Sequence, residues 1–93
     1  MSLDKEIFQE VSGAGLDVVV RSRSKTYFNG QAKLVSSNND TGSFDVLPHH
    51  ANFITLVDQF VTVALADGTE QKFEIDKGVM RVFEDKVDIY LTV

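Results

Sequence analysis

Two histidines, adjacent at His49 and His50, are the first residues of this 93-residue chain whose type invites chemistry, and they share the stretch Gly42 to Phe53 with the sole proline, Pro48. Neighbours on an extended segment point to opposite faces, and a zinc-type site needs a third ligand at definite spacing, so the pair is a poor chelate. The expectation is no metal, with one histidine bonding within a turn and the other solvated. By type alone, Ser43, His50 and Asp45 compose a nucleophile, a base and an acid, but no Gly-x-Ser-x-Gly elbow surrounds the serine, so no catalytic residue is assigned. The glycines of Ser12–Gly15 precede the first strand instead of joining a strand to a helix, which is the wrong context for cradling phosphate, and no cofactor is expected. Arg21, Arg23 and Lys25 alternate with Ser22 and Ser24, which on a strand gathers three cations on one face. That face is solvated, meets an acidic partner surface, or guards an edge against self-pairing.

Composition narrows the classes. Ninety-three residues make one domain, and 43% hydrophobic with 25% charged residues is ordinary globular usage, which disfavours disorder and coiled coil. No window approaches the roughly 18 apolar residues of a membrane span, so direct membrane insertion is not expected. The absence of cysteine removes disulfides, thiolate zinc sites and a thiol nucleophile, and fits a reducing compartment. A net charge of −5 repels a phosphate backbone, so nucleic acid is not an expected partner. The N-terminus lacks the basic-then-apolar order of a secretory signal.

The elements that must position these residues read as strands. Residues 1–15 form an N-terminal extension, a short helix carrying Ile7, Phe8 and Val11 or an ordered tail, partly a cloning remnant at its start. From Leu16 the period is two, running to a turn at Phe28, Asn29 and Gly30. Alternation resumes over Gln31–Ser36, and the polar run Ser37–Gly42, whose side chains compete for backbone hydrogen bonds, is expected as a loop. Phe44–Leu47 is a short strand ended by Pro48. Phe53–Val57 is a further strand, and Phe60–Ala66 pairs with Thr69–Ile75 across Asp67-Gly68, a type I′ signal. A second hairpin joins Val79–Phe83 to Lys86–Thr92 around Glu84 and Asp85, with Tyr90 on its polar side as a lone exposed aromatic or an interface anchor. Short strands with turn signals at regular intervals and no long helical pattern argue for an all-β sandwich or barrel.

The stretch Gly42-x-Phe-x-Val-Leu-Pro-x-His-Ala resembles the Gly-Glu-Leu-Gly-Ile-x-Pro-Gly-His-Ala signature of the epsilon subunit of F-type ATP synthases. The likeness extends from Leu16 to Val93, through Phe28-Asn29-Gly30, the segment Ile75–Val82 and the closing run Lys86–Leu91, and so covers that family's N-terminal domain. It implies a domain over 16–93 that is a flattened β-sandwich of about ten short strands. It also implies a non-catalytic rotor subunit that couples the gamma subunit to the membrane c ring during proton-driven ATP synthesis, peripheral to the cytoplasmic face of the energy-coupling membrane. The family's C-terminal helical hairpin has no counterpart in these residues, so its inhibitory role and ATP binding are not carried over.

Residue by residue, the resemblance assigns Ser22, His50 and Thr55 to the stalk side. The signature glutamate faces the ring, and Ser43 stands in its place, with Asp40, Gly42, Phe44 and Asp45 around it. Asp45 and His49 replace signature glycines and Asn52 a usual proline, so Asp45 or His49 is expected to need a backbone setting that glycine meets more easily. Two alternatives stand beside this reading: a stand-alone β-sandwich binding module outside any synthase, and a small metal-dependent enzyme using His49 and His50.

Overall fold

The computed structural model describes residues 15–92, so the helix-or-tail expectation for the extension lies outside the described residues except at Gly15, as does Val93. Seven strands follow one another: β1 (Leu16–Arg21), β2 (Thr26–Ala32), β3 (Leu34–Asn39), β4 (Gly42–Val46), β5 (Phe53–Ala64), β6 (Glu70–Phe83) and β7 (Lys86–Leu91). They hydrogen-bond in the order β2-β1-β7-β6-β5-β3-β4. The β1–β7 pair is parallel and every other pair is antiparallel.

The all-β expectation holds, with seven strands where about ten were expected, and two pairs of the segments expected as separate strands are fused. Phe53–Val57 and Phe60–Ala64 are one strand, β5, and residues 70–75 and 79–83 are one strand, β6. Both bend at the same place. The β5–β6 register shifts between Asp58 and Gln59, leaving Asp76 unopposed, and Gln59 takes a φ of 70°. A bulge of this kind bends the strand and changes which parity faces inward. Accordingly Phe73 and Ile75 turn inward before the shift, and Gly78, Met80 and Val82 after it. The first half of β5 and the second half of β6 thus continue into β7, β1 and β2, while the other halves continue into β3 and β4. One bent sheet becomes the two layers of a sandwich.

Between the layers lies a core made mostly of branched side chains, Leu16, Val18 and Val20 of β1, Val35, Val46, Val57, Val61, Val63, Val82, and Val87 and Ile89 of β7, with the unbranched Met80 among them, all buried. β-branched residues suit a pleated, two-layer interior because their restricted χ1 costs little there. The polar run after Val35 serves the bend. Ser37 is fully buried and its hydroxyl donates to the Phe60 carbonyl at 2.7 Å, beside the register shift. Asn38 donates to the Asp58 carboxylate at 2.6 Å and Asn39 to the Thr55 hydroxyl at 3.2 Å. The loop expected over Ser37–Gly42 therefore shrinks to Asp40 and Thr41, where the Asn39 side-chain oxygen Oδ1 accepts from the Thr41 amide and hydroxyl. That capture of a backbone donor by a side chain is the mechanism expected of the run, confined to two residues.

Two further expectations change. Phe28, Asn29 and Gly30 lie within β2, and the turn falls earlier, where the Ser22 amide donates to the Lys25 carbonyl at 2.8 Å. Arg21, Arg23 and Lys25 consequently do not share a strand face: β1 stops at Arg21 and the other two ride on the turn.

Candidate functional site

Pro48 starts the corner that follows β4. The His50 amide donates to the Leu47 carbonyl at 3.2 Å, and His49 takes a φ of 68°. Proline at the second position and positive φ at the third define a type II turn, in which glycine is the undemanding third residue. His49 therefore occupies the backbone setting expected to favour glycine, while Asp45 does not and instead accepts from the Ser36 hydroxyl at 2.6 Å.

What holds His49 there comes from the β6–β7 hairpin. Glu84 and Asp85 both have positive φ, 49° and 64°, so this two-residue loop is the type I′ turn. Asp67-Gly68, expected to be one, is not. Only Gly68 has positive φ there, at 92°, and its amide returns to the Leu65 carbonyl at 3.0 Å, the pattern of a three-residue loop. The His49 amide donates to the Asp85 carboxylate at 2.7 Å, with the imidazole Nδ1 3.7 Å from the other carboxylate oxygen. The Glu84 amide donates to the Asn52 side-chain oxygen at 2.9 Å, and the Asn52 side-chain nitrogen donates to the Glu84 carboxylate at 3.3 Å. Three non-glycine residues in left-handed backbone meet at this one corner.

His50 sits between the two tethered residues. Its ring tilts over Phe53 at 5.0 Å between centroids, Phe53 meets Phe44 edge-on at 6.2 Å, and its Nδ1 lies 2.9 Å from the Ala51 carbonyl. The His49 side chain is 83% exposed, so one histidine bonds locally and the other is solvated. Among the described residues no three His, Cys, Asp or Glu side chains gather as metal ligands. Ser43, His50 and Asp45 do not converge: Ser43 and Asp45 share one face of β4, Phe44 on the other face packs on Phe53 and so toward His50, and the Asp45 carboxylate accepts from Ser36.

The stalk-side candidates are dispersed. Thr55 is partly buried on β5, its hydroxyl taken up by Asn39 and the Leu56 carbonyl. Ser22 follows β1 in the same layer, three strand spacings or about 14 Å across the sheet, and is only 5% exposed, its hydroxyl accepting from the Ser24 amide. On the ring side, Ser43 and Asp45 are exposed on the edge strand β4 and Asp40 in the turn before it, Gly42 has a φ of 119°, and Phe44 turns under Phe53 toward His50.

A further candidate surface was anticipated only at Tyr90. On the outer face of the β1–β7–β6–β5 layer, Ile54 is 67% and Leu56 73% exposed, with Val79, Phe83 and Tyr90 exposed nearby. Register aligns Leu56, Val79, Tyr90 and Arg21 in one row and Ile54, Arg81 and Asp88 in the next. Arg21 lies over the Tyr90 ring at 5.8 Å and Arg81 over Phe83 at 5.3 Å, cations on the faces of exposed aromatics. A groove of about 600 Å³ runs from this face past Thr55 and Val57 to Asp40, Asp58, Lys77 and Thr92. Sequence reasoning left Ile54 and Leu56 out. Their signal is the apolar run Phe53–Val57, in which both parities are apolar although only one can serve the core.

Residues 15–92 match the model of the family described as ATP synthase, Delta/Epsilon chain, beta-sandwich domain. An ATP synthase epsilon chain of Clostridium botulinum is 33% identical over 67 residues, covering 71% of this chain and 50% of that one. An ATP synthase epsilon chain of a Sulfurovum species is 35% identical over 60 residues, 63% of this chain and 47% of that one. The chain thus spans about half the length of the curated relatives it matches. Among solved structures, a chain of the Euglena gracilis mitochondrial ATP synthase OSCP/F1/c-ring assembly superposes with a TM-score of 0.78 at 16% identity, covering 84% of this chain and 51% of that one. A chain of the Tetrahymena thermophila mitochondrial ATP synthase central stalk and c ring superposes with a TM-score of 0.70 at 12% identity, over 84% and 63%.

Proposed function

The chain belongs to the delta/epsilon-chain β-sandwich family of ATP synthases, and from that premise we propose that it is a non-catalytic subunit of the rotor, joining the gamma subunit to the c ring on the cytoplasmic face of the energy-coupling membrane. The observation that carries the proposal is the exposed apolar row of Leu56, Val79 and Tyr90 with Ile54 beside it. A domain whose core is complete has no internal use for such a face, and a cluster of this kind marks a protein contact.

Two surfaces take the two partners. Gamma meets the β5–β6 face together with the His50 and Thr55 side of the domain, and Ser22 acts through the turn it stabilises at the far side of the same layer. The polar loops of the c ring meet the β3–β4 edge, where Asp40, Ser43 and Asp45 are exposed around Gly42 and Phe44. The acids at Asp40 and Asp45 supply the charge that Ser43 does not. An exposed ion pair there is worth up to about 1 kcal/mol, so several are needed to matter.

The test is to mix the chain with the gamma subunit of the same synthase and follow co-elution. A complex burying at least about 1,200 Å² is expected. Leu56→Asp should weaken it at least tenfold while leaving stability within about 0.5 kcal/mol, as for an ordinary surface change. His50→Ala with Thr55→Ala should weaken it less. A chain that does not associate with gamma would point instead to a β-sandwich binding module working outside a synthase.

A further inference from the structure

We propose that Asn52 and Asp85 are positioning residues for the histidine corner, acting as a two-point latch that presents His50 to the partner. The proposal rests on the rotor reading above and adds to it the residues that set the geometry of one contact. His50 lies between His49 and Asn52, and each of those is tied to the same two-residue turn. His49 is held through its amide by the Asp85 carboxylate at 2.7 Å, and Asn52 through the Glu84 amide at 2.9 Å and the Glu84 carboxylate at 3.3 Å.

The latch opposes a backbone that would otherwise relax. His49 at φ 68°, Glu84 at 49° and Asp85 at 64° each lack the glycine that makes such angles easy. If the tethers are cut, His49 returns to negative φ. The bond from the His50 amide to the Leu47 carbonyl then breaks, and the His50 ring leaves Phe53. The turn itself is fixed from its other side by the Asp17 amide, which donates to the Asp85 carbonyl at 2.9 Å. The corner is thereby referenced to β1, whose Leu16, Val18 and Val20 are buried in the core.

Two substitutions at one position separate a latch from a mere turn. Asp85→Gly relaxes the backbone and deletes the acceptor, whereas Asp85→Asn keeps an acceptor on a residue that tolerates left-handed angles. The latch predicts that Asp85→Gly and Asn52→Ala each weaken binding of the gamma subunit severalfold, as far as His50→Ala does and no further, while Asp85→Asn stays within about twofold of the unaltered chain. Amide hydrogen exchange supplies a readout without a partner. The His49 amide should exchange slowly in the unaltered chain and in Asp85→Asn and fast in Asp85→Gly, and the Glu84 amide should be fast in Asn52→Ala. Equal gamma affinity for Asp85→Gly and the unaltered chain overturns the positioning role, and unchanged exchange at both amides overturns the latch. If the unaltered chain does not bind gamma, the rotor reading fails and the exchange data alone decide the latch.

Discussion

The two hairpin turns of the second half of the chain solve the same problem in opposite ways. Ala66–Gly68 is self-contained. Its one left-handed residue is a glycine, and the Asp67 carboxylate accepts from the Thr69 hydroxyl at 2.7 Å and the Thr69 amide at 2.9 Å. Glu84–Asp85 has no glycine, and its strain is offset by residues more than thirty positions earlier, Asn52 and His49. The first turn is written locally and does nothing but reverse the chain. The second is written jointly with the signature corner, and a turn that depends on distant partners also fixes where those partners stand.

Five substitutions probe that contrast. The largest effect is expected of Gly68→Ala. An added Cβ meets nothing within 4 Å, so the loss of about 1–2 kcal/mol is purely conformational, and urea unfolding should return it. Next, Asn52→Ala should cost about 1 kcal/mol and combine with Gly68→Ala additively within about 0.5 kcal/mol. Combined with Asp85→Gly it should depart from additivity by more than that, because those two share a network. Full additivity of the second pair would erase the distinction between the turns. His49→Gly should hold or raise stability by up to about 1 kcal/mol, whereas His49→Val should lower it, since a β-branched residue resists positive φ. Thermal unfolding of the pair decides the sign.

The smallest effect is a pH dependence confined to the local turn. The Thr69 hydroxyl, then the Thr69 amide, hold the Asp67 carboxyl below its ordinary value of 3.8. A depressed folded value stabilises above the unfolded one, and that contribution disappears as pH falls through the folded value. Asp67→Asn should therefore unfold at lower urea than the unaltered chain at neutral pH, and the gap should close as the solution is acidified past 3.8. A gap independent of pH would mean that the carboxylate is not what the turn uses.

Much of the fold was legible because alternation reports burial directly: the inward sets Leu16, Val18, Val20 and Val87, Ile89, Leu91 are buried as spaced. The fusion of strands was not legible. The bend rests on Gln59 in a left-handed setting and on buried Ser37 bonding the Phe60 carbonyl, and neither residue type announces a bulge. The Asp67-Gly68 dipeptide gave the hairpin but not its type, since local preference cannot tell a two-residue from a three-residue loop. At the corner, the resemblance offered Asp45 or His49 as the residue needing a glycine-like backbone, and His49 is the one that has it. The tether could not be anticipated, because Asn52 and Glu84 are far apart in the chain. The outer face was legible only in part: the run Phe53–Val57 holds more apolar residues than one face of a strand can bury, but only the folded sheet shows that the core lies away from Ile54 and Leu56.

The decisive measurement for the rotor contact is hydrogen exchange of the chain with and without the gamma subunit. Protection on binding is expected along Phe53–Val57, at Val79 and Tyr90 and at the His49–Asn52 corner, while the Ala66–Gly68 turn stays unchanged. Protection centred on Ala66–Gly68, with the β5–β6 face exchanging as freely as before, would contradict it.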